Sequence, residues 1–181
     1  MMIIAGVDEV GRGCLAGPVT AAAVIIKNPI SGLKDSKILT PAKRKVLADQ
    51  IKEDSIFSLA SISNKKIDEI NIHQASLLAM REAIIKLPIK PDLVFVDGKF
   101  VPNVNLNCKA IIGGDKLISE ISAASIIAKA NRDEFMIKLD KKYPKYEFIR
   151  NKGYGTAFHL NMLKEFGYTP YHRKSFKGVM V

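Results

Sequence analysis

The feature that most constrains the fold is a pair of apolar runs, Ile3 to Val7 and Val19 to Ile26, separated by a turn carrying Gly11, Gly13 and Gly17-Pro18. Runs of this length bounded by glycine and proline read as strand, tight turn, strand. Downstream, Thr40 as an N-cap with Pro41 at the first helical position opens a helix to about Glu53. Ser55 to Ser63 alternates like a strand, and Ile72, Ala75, Leu78, Ala79 and Ile85 predict a helix over 71–86 that stops before Pro88. Leu93 to Val96 and Ala110 to Ile112 read as strands. Helices are predicted over 121–143, stopped by Pro144, and over 156–166, closed by Gly167. Hairpin-like strands first and alternating helices and strands later argue an α/β domain with a central mixed sheet flanked by helices. A chain of 181 residues suits one such domain.

Composition narrows the partners. A hydrophobic content of 48% excludes intrinsic disorder. Lys and Arg number 28 against 18 Asp and Glu, a net charge of +10 that favours a polyanion such as nucleic acid. From Lys129 onward the count is 12 basic against 5 acidic, so a basic, helical substrate-binding region is expected over about 145–181. Cys14 and Cys108 form no CxxC and fall far short of a disulfide scaffold, which suits a reducing cytoplasm. The start lacks a basic n-region and reaches Asp8 after seven residues, so neither a signal peptide nor a membrane anchor is expected.

Four acids share one context. Asp8, Glu9, Asp97 and Asp115 each follow an apolar run and sit beside glycine or a turn, so a central sheet can deliver them to one edge, where open α/β sheets place ligands. Like charges about 4 Å apart repel by about 4 kcal/mol at an effective dielectric near 20, a cost that a bound cation removes. All-oxygen ligands select Mg²⁺ or Mn²⁺ over Zn²⁺. His73, His159 and His172 show no HxxxH pattern and read as surface or core-rim residues. Two hard cations about 3.5–4 Å apart can generate hydroxide and stabilise a leaving oxygen in phosphoryl displacement, which with a basic face points to a nuclease.

Gly11, Gly13 and Ala16 also match a dinucleotide fingerprint, with Asp35 near the position of a ribose-binding acid. That fingerprint needs a helix at the turn, whereas Val19 onward reads as a strand, and Asp8-Glu9 would repel a pyrophosphate. Glycines beside acids instead let backbone groups approach a sugar hydroxyl, and the 2′-OH distinguishes RNA from DNA. Arg12 adds a cation for a phosphate.

These residues resemble the type 2 ribonucleases H, of the bacterial ribonuclease HII type. The resemblance runs nearly end to end through GVDEVGRGCLAGPV from Gly6, DSK at Asp35, VDG around Asp97, GD at Gly114, ISAASIIAKANRD from Ile121, KGYGT from Lys152 and HRKSF from His172. It implies an RNase H-like fold and metal-dependent cleavage of RNA in RNA–DNA hybrids and at single ribonucleotides in duplex DNA, by a monomer, leaving 5′-phosphate and 3′-hydroxyl ends. By the same resemblance Asp8, Glu9, Asp97 and Asp115 are catalytic ligands of Mn²⁺ or Mg²⁺. Gly11, Arg12 and Gly13 sense the 2′-OH, and Tyr154 stacks on the sugar of the following deoxynucleotide. Ser36, Lys37, Ser125, Lys129 and Arg173 resemble nucleic-acid backbone contacts.

The chain departs from the family pattern at Cys14, where many members have Pro, and at Gly113, where many have Lys. HRKSF lies close to the last residue given, so no long tail for docking a sliding clamp is expected. The competing reading is a non-catalytic nucleic-acid-binding module, which the charge would allow but which the acids would hinder near phosphate.

Overall fold

The computed structural model describes residues 2–33 and 39–180. Five strands form one sheet: β1 (Ile4–Val10), β2 (Val19–Ile26), β3 (Ser55–Ile62), β4 (Leu93–Asp97) and β5 (Cys108–Ile111). Their order is β3-β2-β1-β4-β5, with β1, β2 and β3 antiparallel and β4 parallel to both β1 and β5. This is the expected mixed sheet, and the strand at Val19 removes the helix that the dinucleotide reading required.

β2 is buried along almost its whole length because both faces of the sheet are covered. Val19, Ala21, Ala23 and Ile25 pack with α2 (Asn64–Ile85), whereas Ala22 and Val24 pack with α1 (Pro41–Asp54) and α3 (Ser119–Lys142). Gly6 on β1 permits the closest of these approaches. A Cβ there would lie 2.1 Å from the backbone of Glu120, so only glycine lets the start of α3 reach β1.

The second helix starts earlier than its apolar spacing predicts. Ser63 caps it by accepting from the amide of Lys66, and the chain then kinks at Asn71 (φ 64°). The expected start at Asn71 is this kink, where Asn71 Oδ1 accepts from the amide of Gln74 and restarts the helix. Residues 64–70 bury little but Asn64 and Ile67, so they carry no periodic signal.

Beyond α3 lie a 3-10 turn (Pro144–Tyr146), α4 (Phe148–Asn151), α5 (Ala157–Phe166) and an irregular tail. They form a third core around Met136, Leu139, Phe148 and Leu163 that also takes in Leu15 and Ala16 from the glycine turn. The C-terminal region is thus packed onto that turn.

Candidate active site

β1 and β4 run parallel with Val7 opposite Val96, and continuing that register sets Asp8 beside Asp97. β5 pairs next to β4 and leads through Gly113, in the left-handed conformation, into a 3-10 turn (Gly114–Lys116) that carries buried Asp115. Asp97 Oδ1 accepts from the amide of Gly114 at 2.7 Å and ties the two strand ends together. The ends of β1, β4 and β5 thus carry Asp8, Asp97 and the turn with Asp115 on neighbouring strands.

The electrostatics there are those of crowded carboxylates. Burial, then the charge of Glu9, push the Asp8 carboxyl well above its ordinary value, with the charge of Asp97 adding to the rise and a hydrogen bond to Ser125 opposing it. Burial also raises Glu9, against the pull of Arg12. As they stand, the carboxyls are turned to separate donors. Asp8 Oδ1 accepts from the amide of Glu9 at 2.7 Å, and Glu9 pairs with Arg12 at 3.3 Å. Among the described residues, no three His, Cys, Asp or Glu side chains already form a group that could hold a metal ion. The backbone register and the all-oxygen donor set nonetheless fit a hard divalent cation, because its charge would offset the burial, and the lesser repulsion, that raise Asp8 and Glu9.

The glycine turn lies against the acids and is gripped from both sides. Cys14 bridges to Tyr154 and Ala16 to His172, so KGYGT and HRKSF flank the turn like two short strands. The amide of Leu15 donates to the carbonyl of Gly153, and that of Arg173 to the carbonyl of Leu15. The ring of half-exposed Tyr154 comes within 3.9 Å of where a Cβ on Gly13 would stand. Glu9, Ser125, Lys129 and Tyr154 line one cleft of about 310 Å³, together with Arg44. A larger cavity of about 740 Å³ lies around Pro88 and Asn105, by the opposite end of β4 from Asp97.

The cations reveal a correction. Arg173 is fully buried, with Nε donating to the carbonyl of Gly17 and Nη1 to that of Arg12. It holds the turn from inside the protein and is not placed to touch a nucleic-acid backbone. Ser125 serves Asp8 from α3, and Lys129 lies on the cleft in an ion pair with Asp133 at 2.7 Å. Ser36 and Lys37, with Asp35, lie outside the described residues.

Sequence reasoning missed Arg132, whose side chain is also fully buried. It donates to the carbonyls of Pro18, Lys152 and Ala16 at 2.9, 2.8 and 3.0 Å. A signal was present, because Ala128, Arg132, Met136 and Leu139 have the spacing of one buried helix face. A cation in such a stripe needs partners, and the turn's carbonyls supply them. Arg44, whose guanidinium donates to the carbonyl of Leu39 and faces Asp133 at 3.8 Å, had no comparable signal. His159 and His172 are buried rather than at the rim. Cys14 and Cys108 are both free.

Comparison with known proteins adds family membership to this geometry. Residues 5–179 match the family model described as Ribonuclease HII. The chain is 53% identical over 182 residues to the ribonuclease HII of Pelagibacter ubique (strain HTCC1062), covering 99% of this chain and 98% of that protein. It is 52% identical over 179 residues to that of Borrelia recurrentis (strain A1), covering 97% and 99%. The crystal structure of the ribonuclease H2 from Pyrococcus horikoshii OT3 superimposes with a TM-score of 0.87 at 28% identity, covering 98% of this chain and 95% of that one.

Proposed function

From the premise that this chain belongs to the ribonuclease HII family and is an endonuclease of the ribonuclease H type, we propose that it hydrolyses the RNA strand of RNA–DNA hybrids and nicks 5′ to single ribonucleotides embedded in duplex DNA. The products are 5′-phosphate and 3′-hydroxyl ends. The observation that carries this reading is the juxtaposition of Asp8 and Asp97 at parallel strand ends with the Gly11–Gly13 turn and Tyr154.

Asp8, Glu9, Asp97 and Asp115 would hold Mg²⁺ or Mn²⁺ once their carboxyls turn from their present donors. Two such ions, when bound, would supply an activated water and charge stabilisation for the departing 3′ oxygen. The chain's own residues do the rest. The backbone of Gly11 and Gly13 approaches the ribose closely enough to bond the 2′-OH, and Arg12 meets the adjoining phosphate. Tyr154, half-exposed over Gly13, offers its face to the next sugar. Ser125 holds Asp8 in place, while Lys129, with Ser36 and Lys37, draws the phosphates inward. Residues 145–181 act as the basic wall of the substrate cleft. No helix among the described residues is long and apolar enough to cross a membrane.

The test is a duplex carrying one ribonucleotide. It should be nicked with Mg²⁺ or Mn²⁺ and left intact with a chelator. Asp97→Asn should bind it normally and cut on the order of 10³-fold more slowly, about 4 kcal/mol of barrier. Undiminished cutting by that variant would overturn the assignment of the acids.

A further inference from the structure

Behind the glycine turn, two buried imidazoles meet. His159 Nε2 and His172 Nε2 lie 2.9 Å apart, and the rings of Tyr146 and Phe148 pack against both. Neither histidine lines the acid cleft.

The hydrogen bonds fix where every proton sits. The amide of Thr169 can only donate, and it donates to His172 Nδ1 at 2.9 Å, so that nitrogen keeps its lone pair. Neutral His172 then carries its proton on Nε2 and donates to His159 Nε2. His159 must hold its own proton on Nδ1, which donates to the carbonyl of Tyr154 at 2.8 Å. Burial holds both rings neutral, pulling His159 down and, with the repulsion of His159, pulling His172 down to about 4. Tyr146 sends its hydroxyl to the carbonyl of Gly167 and Arg173 sends its guanidinium to the turn, so neither competes for the ring nitrogens, and the Thr169 hydroxyl, 3.0 Å from His172 Nδ1, can only donate to the lone pair that the Thr169 amide already fixes there.

The chain of donors runs from Thr169, in the segment that pairs with Ala16, to Tyr154, in the segment that pairs with Cys14. It joins the two flanks of the glycine turn from behind. We propose that His159 and His172 are positioning residues: a neutral two-imidazole relay that fixes the Tyr154 carbonyl, and with it the aromatic ring beside Gly13, for reading the substrate sugar. The inference rests on the role given to Tyr154 above.

The protons are tested directly by ¹⁵N NMR of the imidazoles in the intact protein at neutral pH. His172 should carry its proton on Nε2 and His159 on Nδ1. Any other tautomer, or a doubly protonated ring, overturns the relay. Function is tested by the preference for a single-ribonucleotide duplex over a continuous RNA–DNA hybrid, measured as a ratio of kcat/KM values beside each variant's melting temperature. His159→Phe should lose roughly tenfold of that preference, chiefly through KM. His159→Asn keeps a donor at the δ position and should retain the preference although it leaves His172 Nε2 unpartnered and lowers stability. Equal loss in both variants would make the role merely structural and overturn the proposal. Wild-type preference in His159→Phe with loss in Tyr154→Ala overturns the relay but not the role of Tyr154. Wild-type preference in Tyr154→Ala overturns that role and the relay with it.

Discussion

At the sheet edge, burial and mutual repulsion raise Asp8 and Glu9 beside Asp97. Around the glycine turn that follows Glu9, Arg132 and Arg173 are fully buried, yet each is bonded to backbone carbonyls. The first region concentrates carboxylates whose crowding the Arg12–Glu9 ion pair offsets only in part. The second uses fixed cations to bond four carbonyls of a turn that has almost no regular secondary structure, those of Arg12, Ala16, Gly17 and Pro18, and ties in a fifth, that of Lys152, from the flanking segment. The difference teaches that the two regions meet different demands. A register of parallel strands places the carboxylates at a cost in stability, whereas the turn, which the five-stranded sheet does not reach, is held by two isolated backbone bridges and by buried arginine side chains.

The largest way to break this contrast is to empty the turn of its cation. Arg132→Met keeps much of the side-chain volume but leaves the carbonyls of Pro18, Ala16 and Lys152 without donors. Each buried unpaired carbonyl costs about 1–3 kcal/mol, so the loss should reach roughly 3 kcal/mol or more in denaturant unfolding. Arg132→Lys should recover only part of it, since one ammonium cannot serve three carbonyls in a planar fan. A variant within about 0.5 kcal/mol of wild type would show that the turn holds itself.

The opposite change sharpens the comparison at the sheet edge. Because the Asp8 carboxyl is raised in the folded state, the native protein binds that proton more tightly than the unfolded chain does. Stability should therefore fall as pH rises from the ordinary carboxylate value near 4 through the higher folded one. Asp8→Asn removes this slope and should stabilise the protein at neutral pH by about 1 kcal/mol while abolishing cleavage. Adding Mg²⁺ should raise the melting temperature of the wild type and do so less for the variant. A variant that melts lower than wild type at neutral pH would contradict the electrostatic account.

Sequence patterns made the acid edge legible and left the turn's support obscure, for a physical reason. Strand ends are local: Leu93 to Val96 runs straight into Asp97, and the mixed sheet follows from such runs. The support of the turn is non-local. Arg132 reaches Pro18 across the fold, and Arg173 reaches Arg12 and Gly17; the helical spacing around Arg132 marks it as buried but does not name its partners. HRKSF could be matched by resemblance, but whether its arginine faces substrate or interior depended on packing that only three-dimensional contacts reveal. The same holds for His159 and His172, whose meaning lies in each other rather than in a motif.

Within the turn itself, the two glycines separate folding from recognition. Gly11 has φ +93°, and a Cβ there would stand 2.2 Å from Arg132 Nε. Gly11→Ala should therefore cost about 1–2 kcal/mol in backbone strain alone, before the displacement of Arg132 is counted. Gly13 meets neither obstacle, since its nearest neighbour would be Tyr154 Cε1 at 3.9 Å and its φ is not in the left-handed range. Gly13→Ala should melt within a degree or so of wild type, because a methyl group in ordinary contact with an exposed ring changes stability by less than about 0.5 kcal/mol. Its effect should appear only with substrate, as a weakened preference for ribonucleotide over deoxyribonucleotide at the cleavage position, because the methyl group fills the space in which a 2′-OH would approach the backbone. Equal preference in wild type and Gly13→Ala would remove Gly13 from the recognition surface and leave Gly11, through Arg132, as a purely structural member of the turn.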